Sequence, residues 1–263
     1  DENMPWVPLH VHSQYSILEA TAPPKSIAKR AAELEMSAVA LTDYGNLYGC
    51  VEFFKSCKIL GVKPILGCSF YVAPESRFEK KRAISGKTSY QLILLAKNTK
   101  GYNNLCKLSS KAFLEGFYYF PRIDKELLQK YGEGLICLSG GLGGLVPQLA
   151  LEPEKEKCFE EIRWHRNLFG DDYFLELQRH NMTDEALRDD GMLQESWLAQ
   201  NYYDSISRQE KVNNVLLEAS KELSIPCVAT QASHYMENSA WEAHEILLNV
   251  QSGEPCEIWE KDS

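Results

Sequence analysis

The sequence predicts an α/β fold with a mostly parallel sheet that closes into a barrel. Three observations carry that reading. Seven short runs rich in β-branched and aromatic residues are spaced along the chain, most of them followed by a loop: WVPLHV (6–11), SAVALT (37–42), KPILG with SFYVA (63–73), YQLILLA (90–96), GLICLS (134–139), YFLELQ (173–178) and IPCVAT (225–230). Amphipathic stretches lie between them, and strands that alternate with helices build a largely parallel sheet. No G-x-G-x-x-G and no P-loop follows the first run, which removes the usual nucleotide-binding versions of a doubly wound sheet. A closed barrel is then the more attractive arrangement, with its chemistry on the loops after the strands.

The helices are read from their spacing. In PPKSIAKRAAELEM (23–36), Ile27, Ala31 and Leu34 fall on one face, and Pro23 and Pro24 stand where a helix can begin. In RQEKVNNVLLEASKEL (208–223), Val212, Leu216, Ala219 and Leu223 repeat the interval. The segment 181–208 between two elements is long and polar, and is read as an insertion, part helix and part loop.

Polar residues gather where a barrel keeps its site. His10 and His12 end the first run; alternate side chains of a strand share a face, so the two would project side by side, as a pair of metal ligands should. Asp43 follows the second run, Cys68 and Ser69 lie after KPILG, and Gln91 is within the fourth run. Ser139 to Gly141 follow the fifth, His180 the sixth and His234 the seventh. Each has a plainer reading. The two histidines can be buried hydrogen-bonding groups at a barrel mouth, and Asp43 an acceptor for loop N–H groups. His180 can pack at a strand end, and His244 can be an ordinary helix residue. No spacing supports a Ser/His/Asp or Cys/His catalytic arrangement.

Composition bounds the function. At 263 residues, 44% hydrophobic and 25% charged, the chain can bury a core without disulfides. A net charge of −9 argues against tight nucleic-acid binding by this piece alone, and the one basic run, FEKKR (78–82), reads as a solvated loop. Eight cysteines without a CxxC read as small buried hydrophobes in a reducing compartment, which points to the cytoplasm. No apolar run is long enough to span a membrane. Residues 1–3 before Met4 read as a cloning remnant, and 4–263 as one domain. The abrupt end at EIWEKDS predicts an N-terminal fragment of a longer protein.

The segments PLHVHSQYSILEA, ALTDYGNLYGCVEFFKSCKILGVKPILGCSFYV, LILLAKNTKGYNNLCKLSSKAF, GFYYFPRID, LICLSGGLGG, YFLELQRHN and IPCVATQASHYMENSAWEAHEILLNVQSG resemble the PHP (polymerase and histidinol phosphatase) family. The match runs over almost the whole chain in family order. It is closest to the polymerase branch, the N-terminal PHP domain of bacterial DNA polymerase III alpha subunits. The resemblance implies a distorted seven-stranded (β/α)7 barrel whose active members hold up to three metals.

The same resemblance implies which ligands remain. The HxH motif stands as His10 and His12, and the acidic position after it as Glu19. Where the family has TDHG this chain has Tyr44 after Asp43; the family's glutamate after KPI is Ser69, its histidine before LILLAKN is Gln91, and its LSGC cysteine is Gly141. The late NDxH motif keeps His234 but carries Ala232 for its aspartate. Clustered divalent cations need anionic bridges to offset their repulsion, and Tyr44 and Gln91 are poor ligands at neutral pH. No cofactor is therefore expected. A single zinc or manganese on His10, His12 and His234 is the one metal site the donors still allow.

Three functions follow as expectations. The first is the PHP domain of a replicative DNA polymerase with a degenerate metal site, acting as a structural and docking module. The resemblance implies that its partners are a proofreading exonuclease subunit and other holoenzyme subunits, with DNA held by polymerase domains outside this chain. The second is a residual mono- or binuclear metal phosphoesterase or 3′–5′ exonuclease. The third is a free-standing phosphatase of the histidinol-phosphate type, against which the polymerase-like segments speak.

Overall fold

The computed structural model describes residues 6–178 and 196–233. In chain order the elements are β1 His10–Val11, α1 Pro24–Glu33, β2 Ala38–Leu41, α2 Cys50–Leu60, β3 Lys63–Val72, β4 Tyr90–Ala96, α3 Thr99–Glu115, β5 Arg122–Ile123, α4 Lys125–Tyr131 and β6 Leu135–Leu138. They continue with α5 Leu145–Leu151, α6 Lys155–Phe169, β7 Tyr173–Gln178, α7 Ser196–Leu223, β8 Cys227–Thr230 and β9 Ala232–Ser233. These form two compact units, one up to Ile136 together with β9, the other Cys137–Gln231. Both are α/β, the class that the alternation of strand and helix predicts.

In the first unit KPILG and SFYV, joined through Cys68, make one ten-residue strand, with Ala73 just outside it. Its first half pairs in parallel with β2, from Ala38↔Lys63 to Leu41↔Leu66. Its second half pairs antiparallel with β4, from Gly67↔Leu95 to Val72↔Tyr90. This antiparallel pair stands among parallel ones, within the mostly parallel arrangement that the alternation predicts. A parallel return usually runs through a crossover helix, and residues 73–89 contain none. β1 is two residues long, not six. Pro8 has no N–H to donate, although its carbonyl accepts from Ala40 N at 3.0 Å, and Val11 O accepts from Thr42 N at 2.9 Å. On its other side β1 pairs in parallel with β9, His10 against Ala232.

α1 starts on Pro24, and Ile27, Ala28 and Ala31 are buried with Val39, Leu41, Phe53 and Cys57 in one apolar cluster. Leu34 departs from the expected stripe: the helix ends at Glu33, so Leu34 caps it and stays 49% exposed. Gly61, at φ 74°, ends α2 in the left-handed region and turns the chain into β3. β5 brings in a fully buried arginine. Arg122 donates to the carbonyls of Gly116 (3.0 Å), Thr88 (3.0 Å), Arg77 (3.2 Å) and Glu79 (2.9 Å), sewing the 76–89 loop to the segment after α3.

In the second unit β7 is central. It pairs in parallel with the end of β6 (Cys137↔Tyr173, Leu138↔Phe174) and with β8 (Leu175↔Cys227 to Gln178↔Thr230). α7 runs from Ser196, so residues 196–208 are one helix with the 208–223 stripe; 181–195 lie outside the described residues. Val212, Leu216 and Ala219 are buried as the spacing predicts. Cys50, Cys57, Cys68, Cys137 and Cys158 are buried thiols, while Cys106 and Cys227 are partly exposed. Among the described residues no helix is long and apolar enough to cross a membrane.

Candidate functional site

The first two strands bring the first motif and the TDYG turn together. His10 and His12 are both buried, with ring centroids 5.8 Å apart and planes at 88°, so they are neighbours that meet edge to face. Asp43 is 1% exposed and fully engaged. Its carboxylate accepts from Ser13 N (2.6 Å), Ser13 Oγ (2.7 Å) and Ser16 Oγ (2.7 Å). Ser16 Oγ in turn accepts from Tyr44 N at 3.2 Å. Burial pushes the Asp43 carboxyl above its ordinary value, and the serine hydrogen bonds pull against that shift. Asp43 therefore serves as the clamp that folds the SQYS turn against the second strand.

Beyond Asp43 the chain pairs with β3. Ser69 N donates to Asp43 O and Gly45 N to Ser69 O, both at 2.9 Å. Ser69 Oγ donates to Thr42 O at 3.1 Å. This ladder fixes Tyr44, whose ring lies flat on His12 with centroids 4.3 Å apart and planes 12° from parallel. The stacking continues from Tyr44 to Tyr71 (6.2 Å) and from Tyr71 to Phe120 (4.5 Å). Burial raises the Tyr71 hydroxyl well beyond its usual range, and the Glu19 carboxylate adds to that. Gln91 stands opposite Tyr71 in the β3–β4 ladder, half-buried.

Gly141 belongs to the second unit. A Cβ at Gly141 would come within 2.9 Å of Gln178 Cδ and overlap its amide oxygen. Gln178 is held in place: its Nε2 donates to Glu176 Oε1 at 2.7 Å, its carbonyl accepts from Asn213 Nδ2 at 2.9 Å, and Thr230 Oγ1 also donates to Glu176 Oε1. Ser139 Oγ accepts from Glu176 N at 2.8 Å. His180, His234 and His244 lie outside the described residues.

A model of the PHP domain matches residues 8–180. This chain belongs to the PHP domain family. It is 52% identical over 255 residues to DNA polymerase III subunit alpha of Chlamydia pneumoniae, 44% over 248 residues to that of Borreliella burgdorferi, and 40% over 247 residues to that of Thermus aquaticus. These matches cover 97%, 94% and 93% of this chain but only 20%, 20% and 18% of the relatives. The chain thus spans about a fifth of the length of the polymerase subunits it resembles.

The residues at the PHP positions do not fit a multinuclear metal centre. Tyr44 presents a ring face to His12 instead of an imidazole nitrogen, and Asp43 already accepts three short hydrogen bonds. Ser69 brings no charge and spends its hydroxyl proton on Thr42 O. At Gly141 the place of a cysteine side chain is taken by the Gln178 amide. Divalent cations close together require anionic donors; Tyr44, Ser69 and Gly141 supply none, and the Asp43 carboxylate is already engaged.

Sequence reasoning passed over Ser13, Ser16, Tyr71, Phe120 and the Glu176–Gln178 pair. The two serines carried no local signal, because their hydroxyls bond Asp43, 30 and 27 residues further along the chain. Tyr71 and Phe120 carried none, because 49 residues of sequence separate two rings that touch.

Proposed function

We propose that this PHP domain is part of a bacterial replicative DNA polymerase of the DNA polymerase III alpha type, that its hydrolytic metal centre has been lost, and that it serves as a structural and partner-docking module. The observation that carries the loss is the Tyr44 ring stacked on His12, in the position where the motif calls for a metal-binding histidine. The tied Asp43 and the filled Gly141 position point the same way. The polymerase assignment rests on identity of 40 to 52% along nearly the whole chain. The partners that follow are a proofreading exonuclease subunit and the other holoenzyme subunits, in the cytoplasm, with DNA synthesis carried out elsewhere in the polymerase.

The experiment is metal analysis of protein prepared without chelator or metal-affinity chromatography, together with phosphodiester and 3′-end hydrolysis assays with and without added zinc or manganese. The expected result is metal well below one equivalent and no hydrolysis that depends on His12. Stoichiometric metal, with hydrolysis abolished by His12→Ala, would establish the residual phosphoesterase in which His10, His12 and His234 hold the ion.

A further inference from the structure

At the outer end of the aromatic stack, residues 117–120 turn toward solvent. Tyr118 folds inward over the Arg122 guanidinium, 5.2 Å from its ring centroid. Tyr119 goes the other way: it sits at φ 63° and is 61% exposed. A bulky residue rarely takes that backbone conformation, and where one does, the surroundings hold it there. Phe117 and Phe120 are 52% and 40% exposed, and Phe120 rests one face on Tyr71. The result is a ledge of three outward rings supported from below.

The basic loop lies directly on this ledge. Lys80 Nζ donates to Phe117 O at 2.6 Å, and the Arg82 guanidinium stands 5.5 Å from the Tyr119 ring centroid. Lys81 is between them in sequence, paired with Glu79 at 2.6 Å. Residues 79–82 carry a net charge of +2 on a chain whose net charge is −9. The longest consecutive run of cations in the chain thus stands beside the exposed rings.

We propose that Phe117, Tyr119 and Phe120, with Lys80, Lys81 and Arg82, form a ledge for single-stranded nucleic acid, the bases stacking on the rings and the phosphates meeting the cations. A single strand uses both features at once, because every nucleotide offers a π face and a phosphate. A duplex cannot, since its base faces are already stacked. The ledge needs no metal, and it stands independently of the proposed loss of the hydrolytic centre. With three cations, one of them, Lys81, held by Glu79 and Glu75, the binding is weak and strongly salt-dependent.

The test is fluorescence anisotropy of a labelled oligo(dT) of about 12 nucleotides, with the strand also carrying 4-thiothymidine for photo-cross-linking to the full-length natural protein. Affinity is expected to fall roughly tenfold between about 50 and about 200 mM salt, and duplex DNA is expected to compete poorly. Tyr119→Gly separates binding from folding: glycine relaxes the positive φ, so thermal stability holds or rises, while affinity drops about fivefold or more. Arg82→Gln is expected to weaken binding and flatten the salt dependence by about one phosphate. Cross-links mapping to 117–120 support the ledge. Absence of binding at low salt, an unchanged affinity in Tyr119→Gly, or cross-links only elsewhere overturn it. Protection of the Phe117, Tyr119 and Phe120 side chains from hydroxyl-radical labelling in the full-length protein without DNA also overturns it, since the ledge would then be covered by protein.

Discussion

The Tyr44 ring lies 4.3 Å from His12 and only 12° from parallel with it, so a stacked pair occupies the place where the family motif brings a second imidazole to a metal. The pair is packing, and it can be measured as packing. Tyr44→Ala is expected to cost about 2 kcal/mol in urea unfolding, below the range for fully buried aromatics because Tyr44 is only half-buried. Tyr44→His should cost less, since imidazole keeps a planar face. It should not raise bound zinc by elemental analysis, because Asp43 remains tied and Ser69 uncharged.

Asp43 holds three donors with two oxygens. Asp43→Asn turns one acceptor into an NH2 facing a donor, and is expected to cost about 2–3 kcal/mol. The pH dependence has a defined sign. Burial raises the folded carboxyl above its ordinary value of 3.8, so the folded chain holds this proton more tightly than the unfolded chain. The group's contribution to stability is then full below the unfolded value. It falls as pH rises through the window up to the folded value, and is level above it. Unfolding curves of protein and variant across that window should show the widest gap at its acid end.

Gly141 and Gln178 exclude each other's larger partners. Gly141→Cys restores the family residue but pushes Gln178 off Glu176, and about 1–3 kcal/mol of stability should be lost with that hydrogen bond. Adding Gln178→Ala should recover part of the loss. A double-mutant cycle by thermal or urea melts reads the coupling, and additive effects would show that the two side chains do not compete.

Arg122 serves four carbonyls from a fully buried position. Lysine keeps the charge but cannot reproduce the planar fork, so Arg122→Lys is expected to cost about 3 kcal/mol, with Arg122→Met at least as damaging. Limited proteolysis of the 76–89 loop should accelerate in both variants, since those carbonyls tie the loop down.

Much of the fold was legible because it is written locally. YQLILLA and YFLELQ are β4 and β7 residue for residue, and the apolar interval in 208–223 marks the buried face of α7. Leu34 misled because the helical interval continues one residue past the point where the helix stops. The antiparallel β3–β4 pair was hidden because direction depends on what the connection contains, and 73–89 turns back without a helix.

The candidate site divides along the same line. The sequence by itself determined which side chains stand at the PHP positions, and so which charges and ring nitrogens are missing: Tyr44, Ser69, Gln91, Gly141 and Ala232 can be read without any coordinates. Only the tertiary structure decided what those residues do in place of ligation. It set Tyr44 on His12, closed Asp43 around Ser13 and Ser16, placed Gln178 over Gly141, and carried the stack through Tyr71 to Phe120. The physical reason is range. Composition and periodicity act over a few residues, whereas stacking and hydrogen bonding in a buried site join groups that meet only when separate strands are packed side by side.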